Sequence, residues 1–238
     1  MRRRGAYRKF VCTLFTGFVF VIFVSPPGSA QPSGLVAAYS FSEGSGTTVS
    51  DSSGNNHTGT ISGALWTSQG KYGNALSFDG VNDWVTVNDT PALDLVSGMT
   101  LEAWIRPTAL KGWRTVILKE QYNSLAYASY ANTSANQPSG EVAAPTSKDV
   151  RGPTQLPLNT WTHFAVTYDQ TALRIYVNGA QVAGKAVTGD IVSSAGPIRI
   201  GGNQVWGEFF SGLIDEVRIY NRALSASEIQ ADMNAAGP

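Results

Sequence analysis

The sequence has a single cysteine, only two histidines and few charged residues. Cys12 is the only cysteine in 238 residues, so the chain cannot form an internal disulfide. No cysteine or second histidine lies at ligand spacing from His57, which argues against a zinc site. The folded protein must therefore be held together by its hydrophobic core and by any ion that prefers oxygen ligands.

Helical periodicity is also almost absent. More than ten short β-rich runs recur instead, separated by clusters of Gly, Asn, Asp and Ser. Apolar residues alternate strictly with polar ones in 99–105 and 173–177, which predicts strands with one face in the core. Asn178–Gly179 lies between two such runs and predicts a type I′ hairpin turn. This pattern indicates an all-β fold made of two antiparallel sheets.

One helix is predicted, at the C-terminal end of the chain. Ser225 fits an N-cap, Glu228 is its capping-box partner three residues later, and Gly237 would end the helix. The polar, proline-punctuated segment 132–155 predicts either a long irregular hairpin or a loop over one face. No internal repeat or second folded domain is indicated.

Residues 1–30 have the layout of a secretory signal peptide. A basic start is followed by an apolar run too short for a comfortable membrane span and by small residues. We expect a secreted or extracytoplasmic protein whose folded domain is 31–238, with an uncleaved anchor as the alternative. Residues 31–238 carry 12 basic and 17 acidic residues, a formal charge of −5. This charge argues against nucleic acid and anionic lipid as partners.

Several segments resemble one known family when they are taken in order. They include "GLVAAYSFSEGSGTTVSDSSGNNHTGTI", "GKYGNALSFDGVNDWVTV" and "GLIDEVRIYNRALSASEI". Together the matching segments resemble a laminin-G-like jelly roll of the concanavalin A-like lectin/glucanase superfamily, over about residues 34–235. The resemblance implies a jelly-roll sandwich. It leaves the function open, because this fold carries lectins, carbohydrate-binding modules, adhesive receptor domains and glycan-cleaving enzymes.

The loop 51–59 is a candidate calcium site. Its Gly and Asn residues allow a tight turn that directs backbone carbonyls inward, but Asp51 alone balances half the charge of the ion. The resemblance implies a structural calcium ion there, and its candidate ligands are Asp51, Asn55, His57, Asp215 and Glu43. In the alternative interpretation, Asp51 caps a turn and Asp215 accepts hydrogen bonds from the amides of that turn.

No catalytic constellation is found. Asp215 and Glu216 are neighbours on a predicted strand and should point to opposite faces, so they cannot flank one glycosidic bond. Glu216 would instead form an ion pair with Arg218. The glucanase-type motif Glu-x-Asp-x-x-Glu is absent, and His163 lies in a predicted strand, where a structural role is favoured.

Aromatic and planar polar residues in the loops indicate ligand binding. Sugar recognition needs aromatic platforms and hydrogen-bonding groups, and the candidate contacts are Trp113, Arg114, Tyr127, Trp206 and Glu208. The outer face of strand 99–107 would add Thr100, Glu102, Trp104 and Arg106. We therefore predict an exported ligand-binding module, with a carbohydrate as the favoured ligand. A protein-binding adhesive or scaffold domain is the alternative, and a glycan hydrolase or lyase comes third.

Overall fold

Residues 33–237 form two antiparallel sheets stacked on each other, as described by a computed structural model. The predicted signal peptide at 1–30 lies outside the described residues. The two-sheet architecture with one short helix near the C-terminal end confirms the predicted all-β sandwich.

The elements follow one another as β1 (Leu35–Tyr39), β2 (Thr48–Val49), β3 (Gly59–Ser62), β4 (Leu65–Thr67), β5 (Ala75–Asp79), β6 (Trp84–Val87), a 3-10 helix (Pro91–Leu93), β7 (Met99–Ala109), β8 (Arg114–Gln121), β9 (Ser124–Asn132), β10 (Ser139–Ala143), β11 (Ser147–Arg151), β12 (Thr162–Tyr168), β13 (Ala172–Val177), β14 (Ala180–Ala186), β15 (Ile198–Ile200), β16 (Ser211–Tyr220) and α1 (Ala226–Met233). Strands β7 and β16 are the longest, with 11 and 10 residues, and Gly, Asn or Pro residues lie in many of the connections.

The first sheet has the order β14-β13-β12-β7-β16-β5-β4. Strand β1 also pairs with β16, at residues 217–220 of β16. It lies on the same side of β16 as β5, which pairs with residues 211–214. The second sheet has the order β11-β10-β9-β8-β15-β6-β3-β2. The chain therefore crosses repeatedly between the sheets, and residues distant in sequence meet on each of them.

The main hydrophobic core lies between the sheets. Met99, Leu101, Ala103 and Ile105 of β7 are fully buried in it, as the alternation predicts. The β13–β14 hairpin turns through Asn178 (φ 50°) and Gly179 (φ 75°), the two positive φ angles of a type I′ turn. Both expectations are confirmed. Segment 132–155 contains the β10–β11 hairpin, the first of the two predicted alternatives.

Helix α1 begins with the predicted capping box. Ser225 accepts a hydrogen bond from the Glu228 N–H, and the Glu228 side chain accepts from the Ser225 N–H. The predicted stop at Gly237 is wrong, since the helix ends at Met233. Asn234 caps this end. Its backbone N–H donates to the carbonyls of Ala231 and Asp232, and its side-chain amide donates to the Gln230 carbonyl at 2.7 Å.

The outer face of the first sheet is closed rather than open to solvent. The expectation that Thr100, Glu102 and Trp104 face a ligand is wrong, because all three are buried. Ile229 of α1 packs into an apolar cluster on this side, and the Thr100 hydroxyl donates to the Arg222 carbonyl at 2.8 Å. The C-terminal segment thus removes this face as a binding surface.

A buried charge cluster ties that segment to the sheet. Arg218 donates to the carbonyls of Asp232 and Ala235 at 2.9 and 2.8 Å, and it pairs with Glu216 at 3.1 Å. The predicted Glu216–Arg218 pair is therefore confirmed. Burial raises the pKa of Glu216 to about 7, although Arg218 lowers it. Burial lowers the pKa of His163 in the same region to about 3, so this histidine is neutral at physiological pH.

Glu216→Gln should flatten the dependence of stability on pH. Folded Glu216 holds its proton up to about pH 7, whereas the ordinary value is 4.5. Between these values folding takes up a proton, so lowering the pH from about 7 to about 4.5 raises the free energy of unfolding. The contribution is about 1 kcal/mol per pH unit. Urea denaturation at several pH values measures the slope.

Glu43→Gln, an exposed change outside this cluster, serves as the control and should retain the wild-type slope. An identical slope in Glu216→Gln and wild type would contradict the account of this cluster.

Candidate functional site

A cavity of about 320 Å³ lies on the outer side of the second sheet. It is lined by Trp113, Tyr130, Glu141, Trp206 and Glu208. Three of these, Trp113, Trp206 and Glu208, are among the residues that the sequence singled out. Tyr130 belongs to an apolar cluster separate from the main core, which places it on the outer face of β9.

Aromatic rings form the walls of the cavity. Trp113 packs edge-to-face on Tyr130, with ring centroids 4.8 Å apart at 74°. The Arg151 guanidinium lies 6.0 Å from the centre of the Trp113 ring. Trp206 is 49% exposed and has no such packing partner among the residues that the structure describes. Its ring is therefore available to a ligand.

One buried side chain holds the segment that carries Trp206 and Glu208, which we call the site loop (residues 201–210). Asn203 is fully buried. Its side-chain nitrogen donates to Thr115 Oγ1 and to Glu208 Oε2, both at 2.9 Å. Its side-chain oxygen accepts a hydrogen bond from the backbone N–H of Trp206 at 2.8 Å. This side chain thus fixes both site residues against strand β8.

Two further contacts fix the C-terminal half of the site loop. Arg114 Nη1 donates to the Phe209 carbonyl at 2.6 Å, and the Phe209 ring stacks on Trp84 at 5.6 Å. At the start of the loop, Gly201 has a φ of 83°, and a Cβ there would lie 2.2 Å from the Phe78 ring, so this position requires glycine. Arg114, predicted as a ligand contact, therefore supports the loop and does not line the cavity.

The prediction that Tyr127 contacts a ligand is wrong. Tyr127 is 1% exposed in the main core, and its hydroxyl donates to the Leu93 carbonyl at 2.8 Å. Tyr130, three residues later on the same strand, is equally buried at 1% exposure, but it faces the opposite side, where its ring packs against Trp113 at the cavity. The alternation of β9 contains this signal. Glu141 escaped sequence reasoning, since its place depends on β10 pairing with β9.

Both cavity carboxylates are electrostatically perturbed. Burial raises the pKa of Glu208, and the nearby Glu141 raises it further, while hydrogen bonds from Asn203 and Tyr130 act against this rise. Burial likewise raises the pKa of Glu141, which accepts a hydrogen bond from the Ser147 hydroxyl. Within residues 33–237 neither carboxylate belongs to an ion pair.

The residues predicted to bind calcium through the loop 51–59 make a different set of contacts. Asp51 accepts the N–H groups of Ala38, Ser53 and His57, each at 2.9 Å. The His57 carbonyl accepts the Tyr39 hydroxyl at 2.6 Å. Two more candidates form hydrogen bonds within the protein. Glu43 accepts the Ser50 N–H at 2.6 Å, and the Asn55 side chain donates to the Val36 carbonyl at 2.9 Å.

Asp215 caps another turn. It is fully buried and accepts the N–H groups of Lys71, Tyr72 and Glu216 at 2.8, 3.0 and 2.9 Å. Amide hydrogens already supply positive charge at these oxygens, so the contacts fit turn capping better than calcium ligation. No group of three or more His, Cys, Asp or Glu side chains in 33–237 is arranged to hold a metal ion. The structural calcium ion stays a prediction.

The family relationship is shown by sequence. A family model described as the concanavalin A-like lectin/glucanases superfamily matches residues 79–230. The chain belongs to this superfamily. The resemblance seen in the sequence is thereby confirmed, and the two-sheet sandwich agrees with it.

Solved structures similar to this superfamily member include sugar complexes. Domain 4 of AbnA, an extracellular arabinanase from Geobacillus stearothermophilus in complex with arabinotriose, is 24% identical with a TM-score of 0.71; the match covers 84% of this chain and 98% of that one. A Trypanosoma rangeli sialidase in complex with 2,3-difluorosialic acid is 20% identical with a TM-score of 0.63, over 87% of this chain and 34% of that one. At these identities the likeness establishes the fold alone.

A curated relative comes from a receptor. Adhesion G-protein coupled receptor V1 of Danio rerio is 34% identical over 74 residues, which are 30% of this chain. The match spans about 1% of the receptor's length. Within residues 33–237, none of the helices has the length and apolar character needed to cross a membrane.

Asp215→Ala should destabilise the protein equally with and without a calcium chelator. Three backbone N–H groups lose a buried acceptor, which we expect to lower the free energy of unfolding by about 3 kcal/mol. Chemical denaturation of wild type and variant, each in EDTA and in calcium, measures the loss.

The matched control is Asp190→Ala, an exposed change that should cost little in either condition. A loss that appears only in calcium would instead make Asp215 a metal ligand and overturn its assignment to turn capping.

Proposed function

We propose that this protein is an exported ligand-binding module whose ligand is a carbohydrate, bound in the cavity on the outer side of the second sheet. The observation that carries the proposal is the convergence of aromatic rings and carboxylates in one cavity. Trp113 and Trp206 supply the accessible rings, the buried Tyr130 supports Trp113, and Glu141 and Glu208 supply the hydrogen-bond acceptors.

These groups match the two kinds of surface that a sugar presents. The C–H faces of a sugar ring pack on an aromatic ring, and half-exposed Trp206 would bury apolar area in doing so. Sugar hydroxyls donate hydrogen bonds to carboxylates, and such charge-assisted bonds are stronger than neutral ones.

The site loop supports this function because its geometry is set before a ligand arrives. Asn203 and Arg114 hold the backbone near Trp206 and Glu208 through hydrogen bonds of 2.6 to 2.9 Å. A preorganised loop loses little conformational entropy on binding. Sugar-bound structures of the same fold, such as the arabinanase domain with arabinotriose, add support.

Export rests on the N-terminal pattern of a basic start, an apolar run and small residues. The similarity to a segment of an adhesion receptor agrees with it. The same similarity favours a second candidate function, a domain that binds protein. The cavity argues for the carbohydrate, since its rings and carboxylates lie in a concave site and not on a flat patch.

Trp206→Ala should lower the affinity for a glycan identified on a glycan array by roughly tenfold, which corresponds to the loss of one aromatic contact. The folded state should be retained, because Trp206 packs against no other ring among the described residues. Calorimetric titration of wild type and variant measures the change, with EDTA in a parallel series.

Tyr122→Ala is the matched control, since this tyrosine is 91% exposed and does not line the cavity. The site assignment fails if Trp206→Ala binds as tightly as wild type. The carbohydrate proposal itself fails if the wild-type protein binds no glycan and captures extracellular proteins instead.

A further inference from the structure

Among the described residues that line the cavity, two carry a negative charge and none carries a positive one. Glu141 and Glu208 both line it, and the other lining residues are Trp113, Tyr130 and Trp206. The negative charge of Glu141 lies close enough to Glu208 to add to the rise in the pKa of Glu208 that burial causes. Two like charges in a half-buried cavity repel each other, and a bound cation would relieve that repulsion.

Three basic residues on strands β8, β11 and β14 already have other partners. Arg151 Nε pairs with Asp149 at 2.8 Å, its guanidinium lies 6.0 Å from the centre of the Trp113 ring, and its charge partly offsets the rise in the pKa of Glu141. Lys185 also contacts Asp149, through the backbone carbonyl at 3.1 Å. Arg114 is held by the Phe209 carbonyl at 2.6 Å. These residues leave the charge of Glu208 without a cationic partner within 33–237.

The aromatic walls have the same electrostatic preference as the carboxylates. The faces of Trp and Tyr rings are negative and attract a cation that lies over them. An ammonium group has three N–H donors, so it can reach two carboxylate oxygens and still face a ring. Two accessible rings, Trp113 and Trp206, and two carboxylates around one cavity therefore form a site that a protonated amine would satisfy better than a neutral hydroxyl.

We propose that the cavity selects a glycan that carries a free, protonated amino group, such as a chain of hexosamines whose nitrogen is not acetylated. This inference rests on the proposed carbohydrate-binding function and specifies its ligand class. Trp206 packs on the sugar ring, while Glu141 and Glu208 accept hydrogen bonds from the ammonium group. The formal charge of −5 over residues 31–238 also favours the approach of a cationic polymer.

The raised pKa values of the two glutamates predict how binding responds to pH. Both groups take up protons above the ordinary glutamate value, because burial disfavours their charged forms. Protonation removes the charges that hold the ammonium group. Once the pH is low enough for the sugar amine to be fully protonated, further acidification should therefore lower the affinity for an amino glycan, while affinity for a neutral glycan should change little.

The test compares two oligosaccharides of the same length and linkage, β-1,4-linked glucosamine and its fully N-acetylated counterpart. Isothermal titration calorimetry at low salt measures both affinities with the protein in the form that is isolated after expression. We expect the free-amine chain to bind at least about tenfold more tightly, and we expect added salt to weaken it selectively.

Matched variants locate the effect. Glu208→Gln and Glu141→Gln keep size and hydrogen-bonding capacity but remove one charge each, so each should cut the preference for the free amine several-fold. Asp190→Asn, an exposed carboxylate outside the cavity, should leave the preference unchanged. Circular dichroism and thermal midpoints verify that the variants are folded.

The outcomes separate the inference from the function on which it rests. Equal or better binding of the N-acetylated chain overturns the amine selectivity and leaves carbohydrate binding standing. Binding to a lysine-rich peptide but to neither oligosaccharide, or to none of the three, overturns the amine selectivity. It overturns carbohydrate binding as well only when the glycan array also shows no bound glycan. A free-amine preference that survives in both glutamine variants overturns the assignment to these two carboxylates.

Discussion

The candidate site depends on the hydrogen bonds of one buried asparagine. Asn203 uses both amide hydrogens and its oxygen, to Thr115, Glu208 and Trp206, so its polar groups are fully satisfied without water. Such bonds are strong in a buried setting, where the loss of one partner leaves the others unsatisfied. Asn203 thus links Thr115 of the second sheet to Trp206 and Glu208 of the site loop and sets the position of both.

The location of the site follows from what the C-terminal segment does on the other side of the sandwich. Ile229 of α1 packs on the outer face of the first sheet. Arg218 of β16 holds the C-terminal segment there by donating to the carbonyls of Asp232 and Ala235. On the outer side of the second sheet, residues of β8 and β9 form a small buried cluster, and a cavity with aromatic walls opens beside it. One face of the sandwich is thus used for stability, and the other is available for binding.

Much of the fold could be predicted from the sequence because its signals are local. Alternation in β7, the Asn178–Gly179 turn and the Ser225–Glu228 capping box each depend on a few neighbouring residues. The loop residues Trp113 and Trp206 were identified for a similar reason, since a tryptophan flanked by glycine has little reason to lie in the core.

The rest required contacts between distant residues. Tyr127 and Tyr130 can be distinguished only once the inner face of β9 is known, and Glu141 reaches the cavity through the β9–β10 register. Asp215 caps a turn 143 residues earlier in the chain, next to the irregular pairing at Glu216, whose φ is 53°. Strand alternation alone could not reveal that partner, because the pairing of β16 with β7 shifts at this point.

The central claim is that ligand binds at the cavity between the site loop and the outer side of β9. The protein has six tryptophans, and their indole N–H signals can be followed individually by NMR during titration with the glucosamine oligosaccharide. We expect the signals of Trp113 and Trp206 to shift together as the ligand is added, while those of Trp66, Trp104 and Trp161 stay in place. Saturable binding that leaves Trp113 and Trp206 unchanged would contradict it.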